Sequence, residues 1–260
     1  MLVDSHCHLS SQELYDDLKN VMERAKMAGV SYILNAGGKF DELDKQLEIS
    51  ARFKNVWTVS GVHPHDSLEA QCVTSDDVLK KTLHPKVVAI GECGLDYFYD
   101  FSPRDVQIKV FKQMIKAAQE SCLPLIVHTR EAESDTMEII SDAYQKKAFS
   151  GVIHCYSSSY ELAQTMLEIG FYISASGMIT FKNAESLREA FKKIPLEKIL
   201  VETDSPYLAP VPMRGKVNEP SYVKHTAEVL AQIKGLEFQK LSAITTENFF
   251  KLFSKADRYA

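Results

Sequence analysis

The sequence predicts an α/β protein with the (β/α)8 TIM barrel architecture. Short apolar segments alternate with amphipathic helical patterns along the whole chain, and eight such apolar segments can be counted. The length of 260 residues is typical of a single barrel, so we expect one domain that spans residues 1–260. A doubly wound open sheet is the alternative for the same pattern.

The predicted strands are short runs rich in Val, Ile and Leu. In chain order they cover residues 2–6, 30–35, 56–61, 87–91, 125–128, 152–154, 171–175 and 199–202. In a barrel built from such strands, the carboxyl ends lie on one rim, and the chemistry takes place there.

Helical spacing of apolar residues is clearest in five connections. One helix is predicted between the first two strands, with a stop at Gly29, and a second begins near Ser102, Pro103 and Asp105. The others end at Gly170, end at Gly235, and cover the apolar positions 241–253. Residues 204–220 follow the last strand, contain four prolines and form a predicted loop of unusual length, which is typical of a functional segment.

Composition limits the function classes. The formal net charge of −5 argues against a protein that coats nucleic acid by bulk electrostatics, although a local basic patch or a bound cation could still hold a phosphate. Neither a bilayer-spanning run nor a signal-peptide pattern is found, so we expect a cytoplasmic monomer without a membrane partner. Five cysteines without a C-x-x-C pair indicate reduced thiols.

Candidate metal ligands recur at the ends of the predicted strands. His6 and His8 are two apart where the first strand ends, so in extended chain their side chains point to the same face. The later strands end in further candidates, which are His63, His65, Glu92, His128, His154, Glu202 and Asp204. Any one of them could be an ordinary structural residue, but their joint placement on one rim indicates a metal centre.

The number of ligands favours two cations. Four imidazoles and two carboxylates are too many for one tetrahedral zinc, but they suit two divalent ions that share a bridging carboxylate. This set consists of His6, His8, His128, His154, Glu92 and Asp204. A nitrogen-rich set suits zinc, manganese or cobalt, whereas magnesium usually prefers oxygen, and the choice among magnesium, manganese and zinc stays open.

Six segments that contain these residues occur in a characteristic order. They are DSHCHL (residues 4–9), GVHPH (61–65), GECGLDY (91–97), VHTR (127–130), HCYS (154–157) and VETDSPYLAP (201–210). Together they resemble the signature blocks of the TatD family of metal-dependent deoxyribonucleases, which lies within the amidohydrolase-like barrel superfamily. The resemblance continues through RGK (214–216), NEP (218–220) and TTEN (245–248), and so covers essentially the whole chain.

The resemblance implies a (β/α)8 barrel with a two-cation centre. Carried over by position, one ion would be held by His6, His8 and Asp204, the other by His128 and His154, with Glu92 between them. Three positions depart from the usual family pattern, namely Val217, Ser158 and Cys93. None of these changes removes a ligand, but Val217 replaces a second basic residue and weakens the expected phosphate-binding loop.

The family also implies an activity, which is hydrolysis of DNA phosphodiester bonds by a 3′-5′ exonuclease, and the acidic net charge predicts single strands or short ends as its substrates. Asp204 is the candidate general base, and Glu202 is expected either to orient a ligand or the water, or to be a buried carboxylate paired with a lysine or arginine. His63 would contact the substrate, support the site or be a purely structural histidine. Candidate phosphate contacts are Arg130, Arg214 and Lys216.

Several assignments stay open at this point. The aromatic run Tyr97, Phe98 and Tyr99 could stack a base or simply pack its loop, and we assign His65, His84 and His225 structural or surface roles. The alternative function is a metal-dependent hydrolase of another bond, such as an amide, a lactone or an aminoacyl ester like that of D-aminoacyl-tRNA. A binding protein with a vestigial site is disfavoured, because every block keeps its ligands.

Overall fold

The computed structural model describes residues 1–99 and 101–258. Within these ranges, eight parallel strands pair in chain order, each with the next, and alternate with helices. The prediction of a (β/α)8 barrel is confirmed. The strands are β1 (Leu2–Cys7), β2 (Val30–Asn35), β3 (Val56–Ser60), β4 (Val87–Asp96), β5 (Leu125–Arg130), β6 (Gly151–Ile153), β7 (Tyr172–Ala175) and β8 (Ile199–Val201).

Ten α-helices occur in the part of the chain that the structure describes. They are α1 (Gln12–Tyr15), α2 (Leu18–Met27), α3 (Leu43–Arg52), α4 (Ser75–Thr82), α5 (Arg104–Ser121), α6 (Glu133–Lys146), α7 (Tyr160–Glu168), α8 (Glu185–Lys193), α9 (Val223–Lys234) and α10 (Phe238–Leu252). Their apolar faces pack on the strands in one large core, and α10 adds Phe249 and Phe253 to a second cluster around Trp57. Among the described residues, every helix is too short or too polar to cross a lipid bilayer.

The barrel closes where β1 meets the residues that follow β8. Cys7 forms a parallel bridge with Ser205, and the His8 amide donates to the Ser205 carbonyl at 2.7 Å. The Asp204 amide donates to the His6 carbonyl at 2.9 Å. The seam therefore runs directly through the backbone of three candidate ligands.

Buried side chains reinforce this seam. The Asp4 carboxylate accepts a hydrogen bond from the Thr203 amide at 2.8 Å and another from the Thr203 hydroxyl at 2.6 Å. The hydroxyl of Ser5 donates to the Val201 carbonyl at 2.9 Å. Burial raises the pKa of Asp4 to about 8, although both bonds from Thr203 act in the opposite direction.

Strand β4 is longer than predicted. The sequence interpretation ended it at residue 91, but the pairing with β5 continues through Cys93 and Gly94 to Asp96. Gly91 and Gly94 resemble strand breakers, yet both have positive φ and lie so close to β5 that a Cβ atom on Gly94 would be 1.9 Å from the His128 carbonyl oxygen. Glu92 therefore lies within the strand rather than at its end.

One helix prediction needs correction. The single helix predicted between the first two strands is divided into α1 and α2 at Asp16 and Asp17, and the apolar spacing continues across this break, which is why one helix was predicted. The helix predicted near Ser102, Pro103 and Asp105 begins at Arg104, but the side chain of Ser102 does not cap it. Its hydroxyl instead donates to the His65 carbonyl at 2.8 Å and accepts the Leu68 amide at 3.0 Å, so it joins the loops that follow β3 and β4.

Candidate metal centre

The carboxylate of Glu92 lies at the centre of the candidate site and is almost fully buried. Its Oε2 atom faces the two histidines of β1 and the turn that follows, at 3.2 Å from His6 Nε2 and 3.8 Å from His8 Nε2. Asp204 Oδ1 lies on the same side, 3.4 Å from His8 Nε2 and 3.9 Å from His6 Nε2. Three side chains thus converge on one oxygen of Glu92 and its surroundings.

The other carboxylate oxygen of Glu92, Oε1, faces histidines from β5 and from the segments after β3 and β6. It lies 2.7 Å from His154 Nε2, 3.3 Å from His128 Nδ1 and 3.3 Å from His63 Nε2. The two oxygens of Glu92 therefore separate two groups of imidazoles. The structure brings together all six side chains that the sequence singled out as candidate metal ligands.

The donor set fits divalent cations. Within the described ranges, neither ring nitrogen of His6 or His154 has a hydrogen bond of acceptable geometry, although these atoms are buried. Buried polar atoms without partners are rare and costly, and lone pairs on imidazole nitrogens are good ligands for zinc, manganese or cobalt. Sets of ligand atoms within 4.8 Å of one another include His6 with His8 and Glu92, and His63 with Glu92 and His128.

The carboxylates of the centre stay ionised. Burial alone would raise the pKa of Glu92, but the neighbouring His154 and His63 outweigh it and hold this pKa well below its ordinary value. The same opposition acts at Asp204, where the hydrogen bond from His8 and the charge of His154 lower the pKa. Both groups are therefore available as anionic ligands.

His63 is held in one tautomer by its neighbour. The backbone amide of His65 donates to His63 Nδ1 at 3.2 Å, so the proton of the neutral ring belongs on Nε2, which faces Glu92. Burial lowers the pKa of His63 to about 4, which keeps the ring neutral at physiological pH. This arrangement suits a hydrogen-bond donor to Glu92 or to substrate better than a metal ligand.

Glu202, which follows β8, faces His154, which follows β6. It lies 3.4 Å from His154 Nδ1 and accepts the backbone amide of Cys155. Among the described residues, its ion-pair partner is this histidine, so Glu202 is a buried carboxylate, but the expected pairing with a lysine or arginine is not found. Contact with Nδ1 leaves His154 Nε2 directed at Glu92.

Asp96 is the residue that sequence reasoning missed. It is buried, and its Oδ2 atom accepts hydrogen bonds from His128 Nε2 at 3.1 Å and His65 Nε2 at 2.9 Å. Its Oδ1 atom accepts the amides of Phe98 and Tyr99, each at 3.0 Å. His65, to which the sequence assigned a structural or surface role, therefore lies at the rim of the centre and contacts it through Asp96. The sequence contained a signal for Asp96, because residues 92, 94 and 96 lie on the same face of a strand and Glu92 was already a candidate ligand.

The aromatic run after β4 divides into two environments. Tyr97 is half-buried, donates its hydroxyl to Asp135 at 2.5 Å and has the Arg104 guanidinium 4.2 Å from its ring centre, so it packs its loop and does not present a free face. Phe98 and Tyr99 are exposed instead.

The candidate phosphate-binding residues differ in the contacts that their side chains already make. Arg130 is exposed, with its guanidinium 3.9 Å from the Phe98 ring centre and 4.7 Å from that of Tyr99, at the end of the strand that carries His128. Arg214 instead covers the Phe181 ring at 4.1 Å. Lys216 and Val217, the second of which differs from the usual family pattern, are exposed in the loop after β8.

The remaining histidines lie apart from this cluster. His225 Nδ1 pairs with Glu228 on α9 at 3.2 Å, and His84 Nδ1 accepts the Lys86 amide at 3.2 Å. Among the family departures, Cys93 is fully buried and donates to the Ile126 carbonyl, while Ser158 lies in the loop between β6 and α7. Structural or surface roles suit His84 and His225.

Comparison with known proteins identifies relatives along the whole chain. A family model described as TatD related DNase matches residues 3–254. The metal-dependent hydrolase YabD of Bacillus subtilis, whose name marks it as uncharacterized, is 40% identical over 256 residues, covering 97% of this chain and 99% of that protein. The 3′-5′ ssDNA/RNA exonuclease TatD of Citrobacter rodentium is 34% identical over 257 residues, covering 97% of each.

Solved structures agree with the fold. The structure of YJJV, a TatD homolog from Escherichia coli k12, superposes with a TM-score of 0.90 at 25% identity and covers 97% of this chain and 98% of that one. A lactonase from Listeria monocytogenes superposes with a TM-score of 0.68 at 14% identity, covering 100% of this chain and 95% of that one. At that identity the second likeness shows the barrel fold alone.

Proposed function

The chain belongs to the TatD family of metal-dependent hydrolases, and on that premise we propose that it is a 3′-5′ exonuclease acting on single-stranded DNA. The name of one relative, a 3′-5′ ssDNA/RNA exonuclease, supports the substrate class and the polarity. The structural observation that carries the proposal is the division of Glu92, one oxygen facing each of two ligand groups.

The proposed ligands follow this division. His6, His8 and Asp204 would hold one cation and His128 and His154 the other, with Glu92 bridging them. Divalent ions bound at such a pair of sites supply Lewis acidity toward a phosphate oxygen and lower the pKa of water. Their identity among magnesium, manganese and zinc is left to experiment.

Two carboxylates have separate proposed roles in the reaction. Asp204 remains ionised and is partly open at the rim, so its carboxylate is placed to accept the proton of the attacking water. Glu202 instead is fully buried and lies 3.4 Å from His154 Nδ1, on the side of the ring away from Glu92. We therefore propose Asp204 as the catalytic base and Glu202 as a positioning residue.

Substrate contacts are proposed on the side of the centre near β5. His63 carries its proton on Nε2, from which it can donate to Glu92 or to a phosphate oxygen. Arg130 is exposed on the same side and provides a guanidinium for a phosphate next to the cleaved one. Arg214 already contacts the Phe181 ring, so we propose it as a phosphate contact with less support than Arg130. The proposed phosphate contact of Lys216 is supported only by the exposure of its side chain.

The test is a time course on end-labelled single-stranded and duplex DNA. Protein stripped of metal is resupplied separately with magnesium, manganese and zinc, and Asp204→Asn is assayed beside the wild type. We expect a ladder of products shortened from the 3′ end that needs a cation and is absent with Asp204→Asn. A control variant, Asp135→Asn, changes a carboxylate outside the centre and should retain activity.

The opposite result would redirect the assignment. If DNA stays intact with every cation while an amide, lactone or aminoacyl ester is hydrolysed, the exonuclease proposal fails and the alternative hydrolase activity takes its place.

A further inference from the structure

The exposed aromatic side chains of this protein are concentrated on one rim. Among the residues that the structure describes, four aromatic side chains are exposed, and all lie in the loops that follow β4 and β8: Phe98, Tyr99, Phe101 and Tyr207. The other described aromatic residues are buried or half-buried. Exposed aromatic faces beside a metal centre indicate a binding surface rather than chance exposure.

The two loops lie on opposite sides of the centre. The strands pair in the order β1 to β8 and close between β8 and β1, so β4 and β8 are separated by half of the barrel. Each of these two sides also contributes a candidate ligand, Glu92 from β4 and Asp204 from the segment after β8. Exposed rings therefore flank the candidate ligands on both sides.

On the β4 side, Tyr99 and Phe101 form a layered stack. Their rings are nearly parallel, with an interplanar angle of 12° and centroids 5.3 Å apart. Both rings contact the edge of His65, whose Nε2 atom is bonded to Asp96. Phe101 retains 62% exposure and is accessible to a ligand, and the Arg130 guanidinium lies over the Tyr99 ring, 4.7 Å from its centre.

On the β8 side, Tyr207 is 60% exposed, and both its ring and its backbone have partners. Its ring contacts the edge of His8, with centroids 5.9 Å apart. Its amide donates to the Asp204 carbonyl at 3.0 Å, and its own carbonyl accepts the Asn218 side-chain amide at 2.6 Å. An exposed ring on a fixed backbone loses little entropy when a ligand covers it.

We propose that these two places are base-stacking stations, Tyr99 with Phe101 on one side and Tyr207 on the other. They hold nucleobases on either side of the cleaved phosphodiester of a single strand. This inference rests on the proposed function. Every base has a flat face that stacks on an aromatic ring, and Arg130 supplies the charge that a neighbouring phosphate needs. Bases in a duplex are already stacked on each other, so the stations favour single strands.

The test is equilibrium binding, measured separately from cleavage. A short fluorescent single-stranded oligothymidylate with phosphorothioate linkages is titrated by anisotropy against the full-length protein, beside an abasic strand of the same length and linkage. We expect the strand with bases to bind at least about tenfold more tightly. Phe101→Ala and Tyr207→Ala should each remove at least about fivefold of this difference, and the losses should multiply in the double variant, since the stations share no contact.

Matched variants separate stacking from general effects. Phe101→Tyr and Tyr207→Phe keep a ring at each position and should retain the preference for bases. Leu83→Ala removes an apolar side chain that is 82% exposed in the loop before β4, and should change neither affinity. Equal binding of the two strands by the wild type, or an unchanged preference in the double alanine variant, would overturn the proposal.

The cleavage time course on unmodified DNA keeps the two proposals distinguishable. Base-dependent binding without cleavage under any cation would refute the exonuclease and leave the stations standing. Cleavage by a wild type that binds both strands equally would refute the stations alone.

Discussion

Replacement of Asp96 by asparagine should weaken cation binding although Asp96 is outside the proposed ligand set. Its Oδ2 atom accepts the Nε2 protons of His128 and His65, and its Oδ1 atom accepts two loop amides. Asp96→Asn keeps the shape of the side chain and can keep the Oδ1 bonds. It replaces Oδ2 with an NH2 group that can only donate.

The substitution also changes which nitrogen of His128 carries the proton. If Nε2 must accept a hydrogen bond, the proton of the neutral ring moves to Nδ1, which lies 3.3 Å from Glu92 Oε1 on the side of the centre. A protonated Nδ1 has no lone pair for a cation. Loss of such an orienting carboxylate typically reduces metal affinity about 10- to 100-fold, which corresponds to about 1.4–2.7 kcal/mol.

The assay is a chelator competition titration with zinc and manganese on wild type, Asp96→Asn and the control Asp135→Asn. Circular dichroism is recorded in parallel, because Asp96 is buried and the variant must first be shown to fold. We expect about 10-fold or greater weakening for Asp96→Asn and none for Asp135→Asn, which loses only the bond from Tyr97. A folded Asp96→Asn protein with wild-type affinity would refute the tautomer argument.

Three further outcomes are expected. The pKa of His63 is about 4 in the fold against an ordinary 6.5, so the unfolded chain binds this proton first and the His63 contribution to the unfolding free energy should fall by about 2 kcal/mol between pH 7 and pH 5. In urea titrations of metal-free protein, the wild type should therefore lose about 2 kcal/mol more than His63→Gln over this range, and an equal change in both proteins would contradict this. Removal of the cation by a chelator should lower Tm by about 5–10 °C, because a cation at a hundred times its Kd adds about 2.7 kcal/mol to the free energy of unfolding. Calorimetry with and without chelator measures this shift, and an unchanged Tm would argue against a resident cation. Gly94→Ala should lower the free energy of unfolding by more than about 4 kcal/mol, because the new Cβ atom would clash with the His128 carbonyl oxygen. The control Gly215→Ala also lies at positive φ but has open space around it, so it should lower this free energy far less in the same urea assay.

Local signals account for most of what could be predicted from the sequence. Each strand is an apolar run long enough to be buried, and the two-residue spacing of His6 and His8 fixes their common face without any knowledge of neighbours. The single rim of a parallel barrel then brings His128 and His154 to the same place. These inferences need only strand geometry and chain order.

The remaining contacts depend on distances between segments that lie far apart in the sequence. Asp96 was missed because Gly91 and Gly94 resemble the end of a strand, while their role is to let β4 approach β5 closely. Phe101 was not singled out, and Tyr97 was grouped with exposed neighbours, since burial in a loop depends on partners such as Asp135 and Arg104. No periodicity encodes such contacts.

The seam between β1 and β8 also sets the order in which the protein can become active during its synthesis. Asp4 and Thr203, which close it, are 199 positions apart in the chain. The ribosome makes His6 and His8 first, at roughly 5–20 residues per second, and Asp204 joins them only after all eight strands have been made. A nascent chain therefore has imidazoles but no complete centre. The complete set of proposed ligands therefore exists only once the barrel is finished.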